Sequence, residues 1–477
     1  MALKVLFVEP PKDPWFLMGE YVAPPLGILT LAAFLETKNE KVEIEVVDCQ
    51  SEKLDWQGLK KRLESFNPEI VVPSALGTCN AFKVLKTVDL TKEVNPNSTT
   101  LAGGQHFTAL AYESLTKYSD LDIIIRGEAE QTLVELLTAV ERQNPLSKVN
   151  GISFRHNGKV FHTPNQPLIN DLNTLPFPGY HFVRDNAKRY FYELMGGKDK
   201  PFAIIEGARG CFHDCLYCSQ WRFWGRCRRV KSPKRIADEL EYLAKEYDFK
   251  LFWLADDDAG LGKRIEELCD EIIRRNLQDS IYWFIQARCD DILKSKNLLS
   301  KMRKAGNIWI LFGLDSPNPK TLKSFRRNGF NTSDAKETVN LLRQNDIFSQ
   351  ATFIIGERKD SHESIEALRE YADRIDPDLA TFMTLTPFPG TEVYELSKHN
   401  GWIEDNNWEN YDMIHAIMPT EFLTREEVQK ELYKCYRSYF GSFKRIYQGI
   451  LSKNFITKRT YHYMFRKALL TSLENLF

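Results

Sequence analysis

The sequence predicts an α/β fold: a doubly wound, Rossmann-like domain, then a partial (β/α)6 barrel of the TIM type, then a helical C-terminal region. Three observations carry that prediction. Apolar, β-branched runs alternate with helix-spaced runs over residues 1–145; a second such series begins at Phe202; after Pro389-Gly390 the pattern turns to aromatic-rich helical spacing. With 477 residues the chain has room for about two to four domains, so a single small binding module is excluded.

In the first series Lys4 to Glu9, Val42 to Cys49, Glu69 to Leu76, Thr99 to Gly104 and Leu121 to Glu128 read as strands. They are nearly continuous apolar runs, which suits a parallel sheet buried on both faces. Leu26 to Thr37 and Leu54 to Phe66 carry helical spacing between them. Ligands of such sheets bind beyond the carboxyl ends of the strands. Those ends hold Glu9-Pro-Pro, Asp48, Ser74-Ala-Leu-Gly, Gly103-Gly-Gln-His and Arg126-Gly-Glu. Small and polar residues there fit a cofactor edge, and equally ordinary loop chemistry.

Residues 146–200 lack sustained periodicity and read as a crossing linker with a hairpin around Asn157-Gly158. Over 201–390 the strands are Phe202 to Glu206, Leu251 to Ala255, Tyr282 to Ala287, Trp309 to Leu314, Ala351 to Ile355 and Ala380 to Leu385. Six repeats fit a partial barrel better than the eight of a closed one. Residues 391–477 form the helical region. From Arg425 onward eleven Lys or Arg face four Glu, with Tyr433, Tyr436, Tyr439, Phe440, Phe443 and Tyr447 interleaved. Two readings stay open for that tail: a surface for an acidic partner or nucleic acid, or an amphipathic cap whose aromatics pack inward.

Composition narrows the classes. Lys plus Arg total 64 and Asp plus Glu 65, a formal net charge of -1, so no global field draws the chain to nucleic acid or an anionic surface. Nucleic acid is not an expected partner. Nine cysteines are too few and too uneven for a disulfide scaffold, which points to a reducing, cytoplasmic location. The N-terminus shows no signal-peptide pattern. The longest apolar stretch, Leu26 to Leu35, is far short of the roughly 20 residues that span a bilayer, so no membrane span is expected.

Three cysteines fall within eight residues, Gly210-Cys211-Phe-His-Asp-Cys215-Leu-Tyr-Cys218, directly after the first strand of the second series. Thiolates are soft ligands suited to iron–sulfur clusters or zinc, and structural zinc wants four closed ligands. Three cysteines on one short loop leave one iron of a [4Fe-4S] cube open to a substrate or cofactor. Cys227 offers a fourth ligand, for zinc or a closed cluster. Cys49, Cys79, Cys269, Cys289 and Cys435 are isolated and read as packing thiols. The basic run Arg222, Arg226, Arg228, Arg229, Lys231, Lys234 and Arg235 reads either as a receiver for a carboxylate or phosphate or as a solvated face before a helix at Ser232-Pro233.

The Cys-x3-Cys-x2-Cys loop, with Tyr217 before its last cysteine, resembles that of the radical S-adenosylmethionine (SAM) superfamily. The likeness continues at strand ends: Ala255-Asp256-Asp-Asp258, Gln286-Ala-Arg288-Cys-Asp290, Gly313-Leu-Asp315-Ser316, Phe353-Ile-Ile355-Gly356-Glu357 and Pro387-Phe-Pro-Gly-Thr391. By that resemblance Cys211, Cys215 and Cys218 hold a [4Fe-4S] cluster, SAM takes its open iron, and Tyr217, Asp256, Arg288, Asp315, Ile355 and Gly356 contact SAM. One electron then cleaves SAM to a 5'-deoxyadenosyl radical, so a low-potential donor of the flavodoxin or ferredoxin kind is expected.

The first domain resembles the cobalamin-binding domain of cobalamin-dependent radical SAM enzymes. Ser74-Ala-Leu76 and Gly103-Gly104 are similar to two pieces of the cobalamin signature, Arg126-Gly127-Glu128-Ala-Glu130 to the usual closing motif, and Pro24-Pro-Leu26-Gly27 to the first helix start. The resemblance implies cobalamin contacts from Leu26, Gly27, Ser74, Leu76, Gly103, Gly104, Gln105, Gly127 and Glu128. The Asp-x-His-x-x-Gly piece is missing, since the first histidine is His106. A base-off corrinoid without a histidine ligand is therefore expected. The domain order implies a methyltransferase that moves a methyl from SAM, through methylcobalamin, to an unactivated carbon after hydrogen abstraction. Relatives that close rings or rearrange skeletons keep a cyclase as the alternative, and a non-SAM iron–sulfur redox module is a further one. The open side of a six-strand barrel suits a protein side chain as substrate as well as a small molecule. Glu357, Tyr217 and Tyr180 are candidates for positioning it.

Overall fold

A computed structural model describes residues 2–12, 20–74, 77–327, 329 and 331–474, with the side chains of 444 and 467–474 excepted. The first sheet holds β1 (Leu3–Glu9), β2 (Val42–Asp48), β3 (Ile70–Pro73), β4 (Thr99–Ala102), β5 (Ile123–Ile125), β6 (Ile152–His156) and β7 (Lys159–His162), in the order β2-β1-β3-β4-β5-β6-β7. β1 to β5 run parallel. Along β1, Val5 and Phe7 pack on Ile28, Leu29 and Leu133 from one side, while Leu6 and Val8 pack on Leu59, Leu63 and Phe66 from the other. That two-sided burial is why the strand is a continuous apolar run.

The sheet continues past residue 145, the expected end of the first unit. Ile152, Ser153 and Phe154 are buried and pair antiparallel with Ile125, Ile124 and Ile123. Asn157 and Gly158 both take positive φ, 50° and 74°, the geometry of a tight hairpin turn. The rest of the linker is pinned by two phenols: Tyr180 donates to the Ile204 carbonyl at 2.7 Å, and Tyr190 to Asp48 Oδ2 at 2.9 Å. Tyr180 is 1% exposed and serves this docking rather than a substrate.

The second sheet holds β8 (Phe202–Ile205), β9 (Leu251–Leu254), β10 (Tyr282–Arg288), β11 (Asn307–Asp315), β12 (Phe348–Ile355) and β13 (Leu379–Thr384), in consecutive order and all parallel. β8 and β13 are not neighbours, so the barrel is open. The helix Pro233–Tyr247 starts on Ser232, whose side chain accepts from Arg235 N. The helix Arg425–Phe440 starts on a Thr424–Glu427 capping box and covers edge strand β13, where Tyr436 donates to the Phe382 carbonyl at 2.7 Å. Tyr436 and Tyr439 thus point inward, as the cap reading expects, while Phe443 and Tyr447 stay exposed. The barrel floor, at the starts of the strands, is an aromatic layer of Phe202, Phe284, Trp309 and Phe348, closed from below by Ile456.

Candidate active site

The site lies at the carboxyl ends of the second sheet, where the loop after β8 carries the three cysteines. Gly210 opens that loop at φ +86°, and a Cβ there would sit 2.0 Å from the Cys227 carbonyl oxygen, so only glycine fits. Asp257 Oδ2 accepts from Gly210 N at 2.9 Å, and Trp221 Nε1 donates to the Cys215 carbonyl at 3.0 Å. Asp256, expected at SAM, accepts from Gly207 N and Ala208 N through Oδ1, while Arg264 holds Oδ2 at 2.6 Å. Its carboxylate shapes the start of the loop. Asp257 does the same for its middle, a role the sequence alone did not single out.

The three thiols are neighbours. Cys215 acts electrostatically on Cys211, and both act on Cys218. Burial pushes Cys211 up to about 11 and Cys218 up to about 12, so their thiolates form only with the help of a metal. Among the described residues no three His, Cys, Asp or Glu side chains come close enough to hold a single ion. The fourth candidate, Cys227, donates its thiol to the Trp224 carbonyl at 3.0 Å.

Above the loop, Tyr217 donates to Asp315 Oδ2 at 2.8 Å, and Arg327 Nε stands 2.6 Å from the same oxygen. Arg327 also bonds the Cys215 thiol and donates to the Gly313 carbonyl at 2.7 Å. Asp315 adopts φ +59° at a register shift between β11 and β12. Left-handed aspartate at a bulge is a strained device that re-aims a side chain. Arg288 ends β10, buried, with Nε on Asp290 Oδ1 at 3.0 Å. Ile355 gives its carbonyl to Leu385 N, while Gly356, at φ +82°, donates its N–H to Asp360 Oδ2 and lies against Val428 of the helix Arg425–Phe440. The structure therefore groups Tyr217 and Asp315 with the cysteines and sets Ile355 and Gly356 under the C-terminal helix. Arg327, absent from the sequence reading, joins the group through tertiary contact.

The first domain meets this loop directly. Gln105 Oε1 accepts from Ser219 Oγ at 2.8 Å, and Gln105 Nε2 donates to Gln220 Oε1 at 2.6 Å. Glu128 lies in a buried ion network: Arg209 Nη1 at 2.7 Å, Arg229 Nη1 at 2.8 Å and Ile169 N at 2.7 Å take its two oxygens. Arg209 also pairs with Glu130 and Glu206. Expected at cobalamin, Glu128 instead clamps the two domains at the root of the cysteine loop. Most of the basic run likewise meets acids, Lys231 with Glu239, Arg222 with Glu392, Arg226 with Asp214 and Lys234 with Asp238, while Arg228 donates to the Ala259 carbonyl and Arg235 to the Leu175 carbonyl.

The other first-domain residues leave room. A Cβ built on Gly27, Gly104 or Gly127 meets nothing within 4 Å, three open spaces along the strand-end edge. Gly103 is tighter, 3.2 Å from the Ile125 carbonyl, and Gly127 N donates to Thr108 Oγ1. Ser74 N donates to the Val8 carbonyl, extending β1–β3 pairing; Leu26 begins the helix Leu26–Lys38. Leu76 lies outside the described residues. An edge left open at these glycines is compatible with a bulky cofactor.

Residues 205–372 match the Radical SAM superfamily and residues 18–137 the B12 binding domain. The chain is 31% identical over 421 residues to the anaerobic magnesium-protoporphyrin IX monomethyl ester cyclase of Cereibacter sphaeroides, covering 87% of this chain and 67% of the cyclase. It is 28% identical over 462 residues to an uncharacterized methyltransferase of Pyrococcus horikoshii, covering 96% and 97%. The radical SAM methyltransferase TsrM from Kitasatospora setae, solved with cobalamin and a [4Fe-4S] cluster, superposes with a TM-score of 0.74 at 16% identity over 99% of this chain and 100% of that one, a likeness of fold. The chain belongs to the family of radical SAM enzymes that carry an N-terminal B12-binding domain. Its two domains imply a [4Fe-4S] cluster, SAM and cobalamin.

Proposed function

We propose that the protein is a cobalamin-dependent radical SAM C-methyltransferase, moving a methyl group from SAM by way of the corrinoid to an unactivated carbon. When bound, the cluster and SAM supply a 5'-deoxyadenosyl radical that removes a hydrogen, and cobalamin supplies the methyl. The observation that carries the reading is the Gln105 bridge to Ser219 and Gln220. It ties the edge assigned to cobalamin to the chain leaving Cys218, which supports a reading in which both cofactors act on one substrate.

In this reading Cys211, Cys215 and Cys218 hold the cluster. Tyr217, Arg288 and Asp315 orient SAM, with Asp256 supporting the loop and Ile355-Gly356 flanking the adenine. Gly27, Gly104 and Gly127, with Leu26, Ser74 and Gly103, make room for the corrinoid. The corrinoid would be held base-off with no histidine ligand, a reading supported by His106, which is wedged edge-on between Phe107 and Trp408, centroids at 5.0 and 5.1 Å, and which burial lowers to about 4. The electron comes from a flavodoxin or ferredoxin-like donor, and the acceptor is a protein side chain or a small molecule. A second reading, a cyclase that uses the same cofactors, is favoured by the 31% identity to the Cereibacter cyclase.

The test is reconstitution with iron, sulfide, cobalamin, SAM and reductant, with both SAM coproducts assayed. Methyl transfer yields S-adenosylhomocysteine together with 5'-deoxyadenosine, whereas deoxyadenosine alone favours the cyclase. Cys215→Ala abolishes deoxyadenosine; its persistence would overturn the assignment.

A further inference from the structure

The last two helices, Phe443–Ile450 and Phe455–Glu474, form a hairpin closed where Gly449 meets the ring of Tyr461: a Cβ on Gly449 would lie 2.2 Å from Tyr461 Cγ. The inner side of the hairpin plugs the barrel floor through Ile456, and Arg445 fastens it to Asp373 and Asp376 at 2.9 Å each. The outer side faces away from the fold. Phe443 is 90% exposed, Tyr447 69%, Leu451 61% and Phe465 54%. Phe443, Tyr447 and Leu451 follow one another at four-residue spacing and form a single apolar stripe. Residues 441–474 hold seven Lys or Arg against one acid, Glu474; Lys453 and Lys458 are exposed, while Arg445, Arg459 and Arg466 pair with acids outside the hairpin.

We propose that this face docks the protein on the surface of an anionic phospholipid bilayer. An apolar stripe flanked by cations is the pattern of helices that lie in a headgroup layer, where the stripe enters the acyl boundary and lysines meet lipid phosphates. Among the described residues no helix is long and apolar enough to cross a membrane, so the contact is peripheral. A second copy of the chain is disfavoured, because a self-complementary contact sets this positive face against itself. Nucleic acid is disfavoured because Leu451 and Phe443 offer hydrocarbon where a polyanion wants donors. An electron donor is disfavoured by position: the hairpin sits under the starts of the barrel strands and the cysteine loop lies beyond their ends. The net charge of -1 conceals this patch, since the compensating acids lie elsewhere in the chain.

The test is co-sedimentation of the full chain with vesicles of phosphatidylcholine alone or with about 30% phosphatidylglycerol, at low and high salt. Binding is expected to the anionic vesicles and to fall as salt rises. Phe443→Ser with Leu451→Ser lowers affinity at least about tenfold, by removing two exposed apolar groups that the bilayer would bury. Lys453→Glu with Lys458→Glu lowers it at least about fivefold, and more at low salt. All four positions are exposed, and an unchanged circular dichroism spectrum shows that the fold is kept. Equal binding to neutral and anionic vesicles, or none to either, overturns the proposal. So does a wild-type dimer in sedimentation velocity that Phe443→Ser with Leu451→Ser turns into a monomer, or a duplex DNA probe that competes the protein off the vesicles at equal phosphate.

Discussion

Gln105 and Ser219 stand 2.8 Å apart across the domain boundary, carboxamide oxygen to hydroxyl, with the amide's other end on Gln220 at 2.6 Å. One side chain from the Gly103-Gly104 turn thus grips the first two residues after Cys218. Its removal leaves each domain's own core intact but frees the two loops to drift.

Gln105→Ala is therefore expected to uncouple the cofactors. Deoxyadenosine formation stays within about twofold of wild type, while methylated product falls about a hundredfold, the usual scale for a misplacement near 1 Å. The ratio of the two coproducts reads this directly. A parallel loss of both would show a general loosening instead. The magnetic interaction between the reduced cluster and cob(II)alamin is also expected to weaken in electron paramagnetic resonance, a change that lost activity alone does not produce.

The Glu128 clamp makes a stability prediction. Removing Glu128 leaves Arg209 its pairs with Glu130 and Glu206 but takes from the nearly buried Arg229 the carboxylate it pairs with. Glu128→Ala is expected to cost about 3–5 kcal/mol. Scanning calorimetry should show an earlier, broader transition, since loss of the clamp lets the domains unfold separately. Arg209→Ala with Glu128→Ala together should cost less than the sum of the two single changes. Strict additivity would show that the pair does not interact.

Much of this was legible in the sequence, for physical reasons. Strands buried on both faces are continuous apolar runs, so all five of the first series and all six of the second stood out. The cysteine loop was legible because three soft ligands at short spacing have few other uses. Other features depend on partners far along the chain. The hairpin at Asn157-Gly158 was visible, but its addition to the first sheet rests on Ile123 to Ile125. Glu128 read as a cofactor contact and Arg229 as part of an open basic run, because nothing local reveals that they neutralise each other. Arg327 carries no local signal at all; its meaning comes from Asp315 and Cys215.

Gly27 gives a prediction in which fold and function separate. It lies in the first turn of the helix Leu26–Lys38, and a Cβ there touches nothing within 4 Å. Gly27→Ala is expected to leave stability unchanged or raise it by up to about 1 kcal/mol, since glycine is a poor helix former. Gly27→Leu should fold equally well yet bind corrinoid at least about tenfold more weakly, because its side chain occupies that open edge. Difference spectra on titration with cobalamin measure the affinity. Undiminished binding by Gly27→Leu would place the corrinoid elsewhere.

Asp360 gives a prediction about pH. Its carboxylate accepts from Gly356 N at 2.9 Å, Glu357 N at 3.1 Å and Ser364 Oγ at 2.9 Å, yet burial dominates and raises it to about 6. A carboxyl with a folded-state value above its unfolded one of about 4 binds its proton more tightly when folded. The unfolded chain then carries fewer protons at this group, so stability falls as pH rises from about 4 to about 6 and is level above that. Burial raises Asp257 to about 6 as well, so the comparison must be made between variants. Asp360→Asn keeps one acceptor for the Gly356 and Glu357 amides and cannot ionise. In urea titrations at pH 4.5, 5.5 and 6.5 the variant is expected to lose relatively more at the lowest pH and to match or exceed wild type at the highest. Parallel pH profiles for the two proteins would show that Asp360 does not titrate there. Because Gly356 lies against Val428, a change in this group should also alter how the helix Arg425–Phe440 seats, and proteolysis after Arg425 reports that directly.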